Sequence, residues 1–238
     1  MNHARSAERG DQPSERRLTR TPAQDTQRRA ALRSVPVSGE TEERLALFVD
    51  MLARWRKVTS LISTASFDDV WLRHVADSAQ LLDLAPNAKR WVDLGSGAGF
   101  PGMVLAIQLA GQHGAEVHLV EADRRKCAFL REAARATGAP ARVHCARIES
   151  IAPDSLTPVD AVTARALAPL PILLDFASVW IIRGAVGVFP RGRTAEAQLR
   201  AFPVSPGLRF ATVDSRIDPR AAILIVRRNE SAQHANAS

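Results

Sequence analysis

Cysteine is scarce in this chain: Cys127 and Cys145 are the only two, with no Cys-x-x-Cys pair and no His–Cys spacing suited to a metal. That excludes a disulfide-stapled secreted scaffold and a structural zinc site, so a reduced compartment and no metal are expected. Long hydrophobic runs are missing too. None approaches the roughly 18 residues needed to span a bilayer. The charged N-terminus lacks the apolar segment of a signal peptide. A cytoplasmic protein without a membrane partner follows as the expectation. Lysine is nearly absent, with only Lys57, Lys89 and Lys126, so the positive charge is carried almost entirely by arginine.

What is present is a chain of 238 residues, 46% hydrophobic, with a net charge of +7. This is enough for one α/β domain with a small appendage. The basic balance favours an acidic partner, nucleic acid above all. A compositional bias toward arginine gives the same balance without such a partner.

Residues 1–37 are rich in Arg, Gln, Ser, Thr and Pro, and read as a disordered basic extension. Residues 38–228 read as a single domain, with a helical part at 38–86 and an α/β core at 90–228. The polar residues 229–238 form a disordered end. Ser38 is placed to cap a helix with Glu40, Glu42 and Glu43 in its first turn. Leu45, Phe48, Leu52 and Trp55 recur along it at helical spacing. Ser66, with Asp69 three residues on, suggests a second cap opening a helix from Phe67 to Leu84, stopped by Pro86.

From Arg90 strands and helices alternate. Strands are expected at Trp91–Leu94, Glu116–Glu121, Ala141–Cys145, Val159–Thr163 and Gly184–Phe189. Helices fall between them at Pro101–Ala110, Arg124–Thr137 and Leu170–Ile182, with a short one at Ala195–Ala201. Leu208–Val213 and Ala221–Arg227 close the chain as an antiparallel pair. The result is a doubly wound, mostly parallel sheet with a terminal hairpin, preceded by two helices.

The most informative stretch is Trp91-Val-Asp-Leu-Gly-Ser-Gly-Ala-Gly-Phe-Pro-Gly102. A strand, a glycine turn and a helix start bring backbone against a nucleoside cofactor. A dinucleotide site needs G-x-G-x-x-G. Counted from Gly95, the third glycine position is Phe100. Asp-x-Gly-x-Gly-x-Gly instead suits S-adenosylmethionine, whose ammonium can meet Asp93 directly or through water. Gly95 and Gly97 are therefore candidate cofactor contacts. Glu121 ends the second strand, where ribose hydroxyls lie in such folds, with Asp123 in reserve. After the third strand, Ile148 can pack on an adenine whose edge the backbone reads.

These features resemble the bacterial 16S rRNA guanine-N7 methyltransferases of the RsmG, or glucose-inhibited division protein B, type. The resemblance rests on Asp93–Gly102, Leu72-Arg-His-Val-Ala-Asp-Ser78, Arg147-Ile-Glu149, Arg165-Ala166 with Ala168-Pro169-Leu170, and Phe189-Pro-Arg-Gly192, in the family's order from about Ser38 to Arg227. It implies a class I S-adenosylmethionine-dependent methyltransferase with a Rossmann-like fold, and cofactor contacts at Gly95, Phe100, Ile148, Glu149 and Arg165. The implied substrate is a guanine of 16S rRNA in the small ribosomal subunit. There are departures. Trp55-Arg-Lys-Val-Thr-Ser-Leu61 lacks the family's two asparagines, Ala164 stands where serine is common, and Arg191 replaces a common lysine.

The remaining machinery agrees with an N7 acceptor. Neither cysteine follows a proline, as a pyrimidine-carbon methylase requires. Thr163-Ala-Arg-Ala-Leu167 occupies the place of the Asp/Asn-Pro-Pro-aromatic loop that serves exocyclic amines. Guanine N7 carries an available lone pair, so no general base is expected, and Arg165 is the candidate for positioning the acceptor. Arg73, His74, Arg191 and Arg193 are candidates for RNA binding, through phosphate or guanine O6. For Arg73 an ion pair with Asp69 or Asp77 competes with that role, and for His74 simple packing does. A monomer is expected. A methyltransferase acting on a small molecule or protein, or a non-catalytic RNA-binding assembly factor, are the alternatives.

Overall fold

The computed structural model describes residues 22–192 and 207–229. Arg193 and the short helix expected at Ala195–Ala201 lie outside the described residues, as do residues 1–21 and 230–238.

Seven strands form one sheet: β1 (Arg90–Leu94), β2 (Glu116–Glu121), β3 (Ala141–Cys145), β4 (Ala161–Thr163), β5 (Val186–Gly192), β6 (Leu208–Asp214) and β7 (Ala222–Arg228), in the order β3-β2-β1-β4-β5-β7-β6. The first five run parallel. The hairpin β6–β7 joins antiparallel to β5. Because β1 to β5 share one direction, their carboxyl ends crowd one edge, where α/β sheets bind ligands. Register carries this through: Asp93 lies level with Leu119 and Thr163, and Glu121 level with Cys145.

The helices are α1 (Pro22–Ser34), α2 (Gly39–Trp55), α3 (Thr64–Asp68), α4 (Asp77–Ala79), α5 (Gly102–Gln108), α6 (Arg124–Thr137) and α7 (Leu170–Ile182). On one face of the sheet Leu45, Phe48 and Leu52 of α2 pack with Trp71, Leu105 and Phe129. On the other, Leu173, Leu174, Ala177 and Ile181 of α7 pack with Val92, Leu94 and Phe189. The inner strands are covered on both faces, which is why they read as continuous apolar runs. Two caps fall where the residues predict. Ser38 accepts from the Thr41 amide, and Gly138 ends α6 at φ +62°.

The N-terminal layer departs from expectation in two places. Part of the segment read as disordered is helix α1. Its Ala31 and the following Val35 are buried. Arg28 pairs with Glu42 at 2.7 Å and lies over the Trp71 ring, and Gln27 donates to Asp69 at 3.0 Å. Few apolar residues are needed when an arginine covers an indole. The helix expected over Phe67–Leu84 is broken instead. Ser63, not Ser66, is its cap, and accepts from the Ser66 amide at 3.1 Å. Asp69 leaves helical geometry at φ −104°, ψ 21°, a π-helical stretch Val70–Ala76 follows α3, and Gln80–Leu84 tightens to a 3₁₀ helix after α4. Such unwinding re-aims side chains and recurs at functional sites. Here it carries Arg73, His74 and Asp77.

Candidate active site

The glycine turn after β1 has positive φ at Gly95, Gly97 and Gly99. It is held by side chains from two strands. The Gly97 amide donates to Glu121 Oε2 at 2.8 Å, and the Gly102 amide donates to Asp93 Oδ2 at 3.1 Å. Gly102 cannot be another residue, because a Cβ there would lie 2.4 Å from both Asp93 Oδ2 and Leu119 Cδ2. At Gly97, by contrast, a Cβ would meet only the Gly95 carbonyl at 3.8 Å, so the outer face of the turn is open.

Asp93 is fully buried, and burial raises its pKa to about 7. The Ser96 hydroxyl, the bond from Gly102 and the charge of Arg165 oppose that rise, while Glu121 adds to it. Asp93 Oδ1 has no hydrogen-bond partner among the described residues. A buried acceptor without a donor is costly unless something supplies one. The ammonium of S-adenosylmethionine is a donor of the right charge, so the residues present fit this cofactor. Glu121 also accepts from the Asp123 amide through Oε1 at 2.8 Å. Each carboxylate oxygen retains a second lone pair, so ribose hydroxyls can still be received. Asp123, the reserve for that role, is the N-cap of α6, accepting from the Arg125 and Lys126 amides, which lower its pKa. Ile148 is half-buried in a 3₁₀ turn after β3 and packs on the α7-side core, while Glu149 beside it is exposed.

Phe100 does not present its ring to an open pocket. It is 5% exposed, in ring contact with Phe48 and stacked on His74 at 5.0 Å, with the Arg165 guanidinium 5.3 Å from its centroid. Its side chain is a platform, leaving backbone as what a cofactor can reach. His74 is buried as well, at the wall of the same cavity as Arg165. Burial, aided by Arg165 and Arg73, drives its pKa to about 3, so it is neutral and cannot serve as a surface cation.

Arg165 follows β4. Its Nη1 donates to the Arg73 carbonyl at 3.2 Å and pairs with Asp77 at 3.7 Å. The ion pair suggested for Arg73 is thus made with Asp77 by Arg165. Ala166, next along, holds φ +53°. A non-glycine residue there carries about 1–2 kcal/mol of strain. The turn sets Leu167 against Gly95, where an added Cβ would lie 2.6 Å from Leu167 Cδ1. The loops after β1 and β4 are thereby packed together. Arg191 was expected after the fifth strand but lies within β5, at a bulge between Pro190 and Gly192. Its Nη1 donates to the Ala168 carbonyl at 3.2 Å.

These residues border a cavity of about 590 Å³ between β4, β5 and the β6–β7 loop, lined by Arg73, His74, Asp77, Arg165 and Arg191 among others. A buried polar network holds its rim. Gln80 donates to Asp77 Oδ1 at 3.0 Å and to Ser215 Oγ at 3.1 Å, and Ser215 in turn accepts from the Ile217 and Asp218 amides. Asp77 and Ser215 were missed as site residues. The Arg-His-x-x-Asp-Ser spacing was the one signal for Asp77, and Ser215 had none. Beside the loop after β2, another hollow of about 450 Å³ is bordered by Arg56, Lys57, Arg125 and Lys126 with Asp123.

Comparison with known proteins agrees with this geometry. The model of the family described as GidB, rRNA small subunit methyltransferase G, matches residues 41–212. The chain is 54% identical over 170 residues to ribosomal RNA small subunit methyltransferase G of Bradyrhizobium sp. strain BTAi1, covering 71% of this chain and 77% of that one. It is 48% identical over 190 residues to the protein of that name from Methylorubrum populi, covering 80% and 90%. Among solved structures, cofactor-bound Rv0187 from MTB superposes with a TM-score of 0.58 at 18% identity, covering 89% of this chain and all of that one. The sheet order and flanking helices are those of the class I S-adenosylmethionine-dependent methyltransferases. The chain belongs to the rRNA small subunit methyltransferase G (GidB) family.

Proposed function

We propose that the protein transfers a methyl group from S-adenosylmethionine to N7 of a guanine in 16S rRNA of the small ribosomal subunit, in the bacterial cytoplasm. The observation that carries this reading is the pairing of two unlike sites on one sheet edge: a glycine turn with buried Asp93 over β1 and β2, and an arginine-bordered cavity over β4 and β5.

Gly95, Gly97 and the Phe100 backbone form the cradle, Asp93 receives the ammonium, and Glu121 the ribose. Ile148 packs on the adenine with Glu149 beside it, and Arg165 sits between the two sites. When bound, S-adenosylmethionine would supply an electrophilic methyl that the N7 lone pair could take, the carbon–sulfur bonding pair going to sulfur. No proton moves in that step, so no side chain needs to act as a base. The chain's contribution is alignment and electrostatics. Positive charge appears on the guanine as it leaves sulfur, and neutral His74 adds none to oppose it. Arg73 and Arg191 at the cavity, and the hollow of Arg56, Lys57, Arg125 and Lys126, supply cations for the phosphate backbone.

The test is incubation with radiolabelled S-adenosylmethionine and either 30S subunits, naked 16S rRNA or cell extract. Label in a single 16S guanine, mapped by mass spectrometry as 7-methylguanosine, is the expected result. Label confined to small molecules or proteins overturns it.

A further inference from the structure

The cavity beside Arg165 mixes charged and apolar groups, with Arg191 and Asp218 on segments other than the one that carries Asp77. Leu167, Ile217 and Ile223 provide apolar sides, and its volume suits a small planar group. On one wall the Arg165 guanidinium and the Asp77 carboxylate stand 3.7 Å apart, and both face the cavity. Neither is free to swing. Arg165 is backed by the Phe100 ring and tied to the Arg73 carbonyl. Asp77 is tied through Oδ1 to Gln80, itself buried and fastened to Ser215 on the hairpin. The wall therefore presents a fixed donor beside a fixed acceptor.

Guanine presents the complementary pair along one edge, since O6 accepts and the adjacent N1–H donates. Adenine presents the reverse, with the N6 amino group donating and N1 accepting. Against this wall adenine would set donor to donor and acceptor to acceptor, and a buried mismatch of that kind is what rejects an analogue. We propose that Asp77 is a specificity-determining residue that accepts the N1–H of the target guanine while Arg165 donates to its O6. This rests on the guanine-N7 reading above and goes beyond it by naming the group that reads the base. O6 lies between N1 and N7, so in this pose Arg165 must meet O6 from the N1 side for N7 to keep its lone pair open to the methyl. As positive charge develops on the ring, N1–H becomes a stronger donor, so the Asp77 contact tightens during the transfer and its loss falls on kcat as well as KM. Burial holds the Asp77 pKa above the ordinary carboxylate value, with Asp218 adding to the rise and Arg165 and the Gln80 bond opposing it.

The experiment uses the full chain and small subunits reconstituted with 16S rRNA carrying one changed base at the mapped target. Inosine keeps O6 and N1–H and lacks only the 2-amino group. 2-Aminopurine keeps that amino group and lacks both O6 and N1–H. Wild-type kcat/KM should stay within a few-fold for inosine and fall by roughly 5- to 150-fold or more for 2-aminopurine, the range of one paired base contact. Asp77→Asn should bind S-adenosylmethionine as the wild type does, measured by calorimetry, yet lose a similar factor on guanine. Its guanine-to-2-aminopurine ratio should shrink, because the charged acceptor for N1–H is gone, while the part due to O6 and Arg165 remains. A variant that keeps the full ratio, or a wild type that accepts 2-aminopurine as well as inosine, overturns the assignment. The analogue series on the wild type decides the matter if Asp77→Asn does not fold. Absence of label in unmodified guanine would instead overturn the parent reading.

Discussion

Over β1 and β2, the site is fixed by backbone amides meeting carboxylates: Gly102 on the buried Asp93 and Gly97 on the half-buried Glu121. Over β4 and β5, it is fixed by side chains reaching between distant segments: Arg165 to Asp77 and Arg73, Gln80 to Ser215, Arg191 to Ala168. The first half is local, since its bonds join residues within one strand–turn–helix unit and the strand beside it. The second is assembled from four separate stretches of chain. A cofactor common to many enzymes can be held by a standard turn, whereas a particular acceptor needs side chains chosen for it. Strain at Ala166 and the contact of Leu167 with Gly95 tie the halves together.

The largest test of this contrast is Gly102→Ala. The new methyl meets Asp93 and Leu119, both fully buried and with nowhere to go. Overpacking of this kind costs about 1–3 kcal/mol or more. Displacing Asp93 should also abolish measurable S-adenosylmethionine binding. Thermal melts with and without cofactor check both parts. A stable variant that still binds would show that the turn is looser than its contacts imply.

Next is Glu121→Ala. Removing charged acceptors from Gly97, Asp123 and the ribose should weaken S-adenosylmethionine binding by about 1–3 kcal/mol, read by calorimetry. Unchanged affinity would move the ribose contact to another residue and leave Glu121 as a brace for the turn.

That same contrast accounts for what could be read from the residues alone. The unit from Trp91 to Gly102, the strands β2 and β3 and helix α6 were legible because periodicity and caps act within a dozen residues. The glycine pattern named the cofactor class for the same reason. Helix α1 escaped because its order comes from Arg28 on Trp71 and Glu42, partners outside its own segment. The π-helical stretch escaped because helical periodicity does not distinguish a turn of one extra residue. Asp77 looked like a partner for Arg73, its neighbour on the same segment. The fold gave it to Arg165, 88 positions along the chain. His74 and Phe100 were visible as residues of interest, but their mutual stacking joins two segments that no local pattern relates.

On the acceptor side, Arg191→Ala should leave S-adenosylmethionine binding unchanged and lower kcat/KM on the ribosomal substrate by about tenfold. If Arg191 meets a phosphate, the slope of log affinity against log salt should flatten by about one. Loss of cofactor affinity instead would move Arg191 to the other half of the site and blur the division between them.

The smallest effect concerns proton linkage at Asp93. Its folded pKa of about 7 lies above the ordinary carboxylate value of 3.8. The folded, cofactor-free protein therefore holds a proton there that the unfolded chain has released. The Asp93 contribution to stability is fully present below about pH 4 and is lost as pH rises through about 7, with a slope of at most about 1.4 kcal/mol per pH unit. Cofactor binding runs the opposite way. An ammonium facing Asp93 favours the ionised carboxylate, so affinity for S-adenosylmethionine should rise several-fold between about pH 5.5 and about pH 7 and then level off. Asp93→Asn should flatten both trends, with weaker binding at every pH. Because Glu121 and Arg165 also face Asp93, Glu121→Gln is the control, and should shift the midpoint downward by removing a like charge while keeping the slope. A wild-type affinity independent of pH over this range would place the ammonium elsewhere, and the unpartnered Asp93 oxygen would then serve the turn alone.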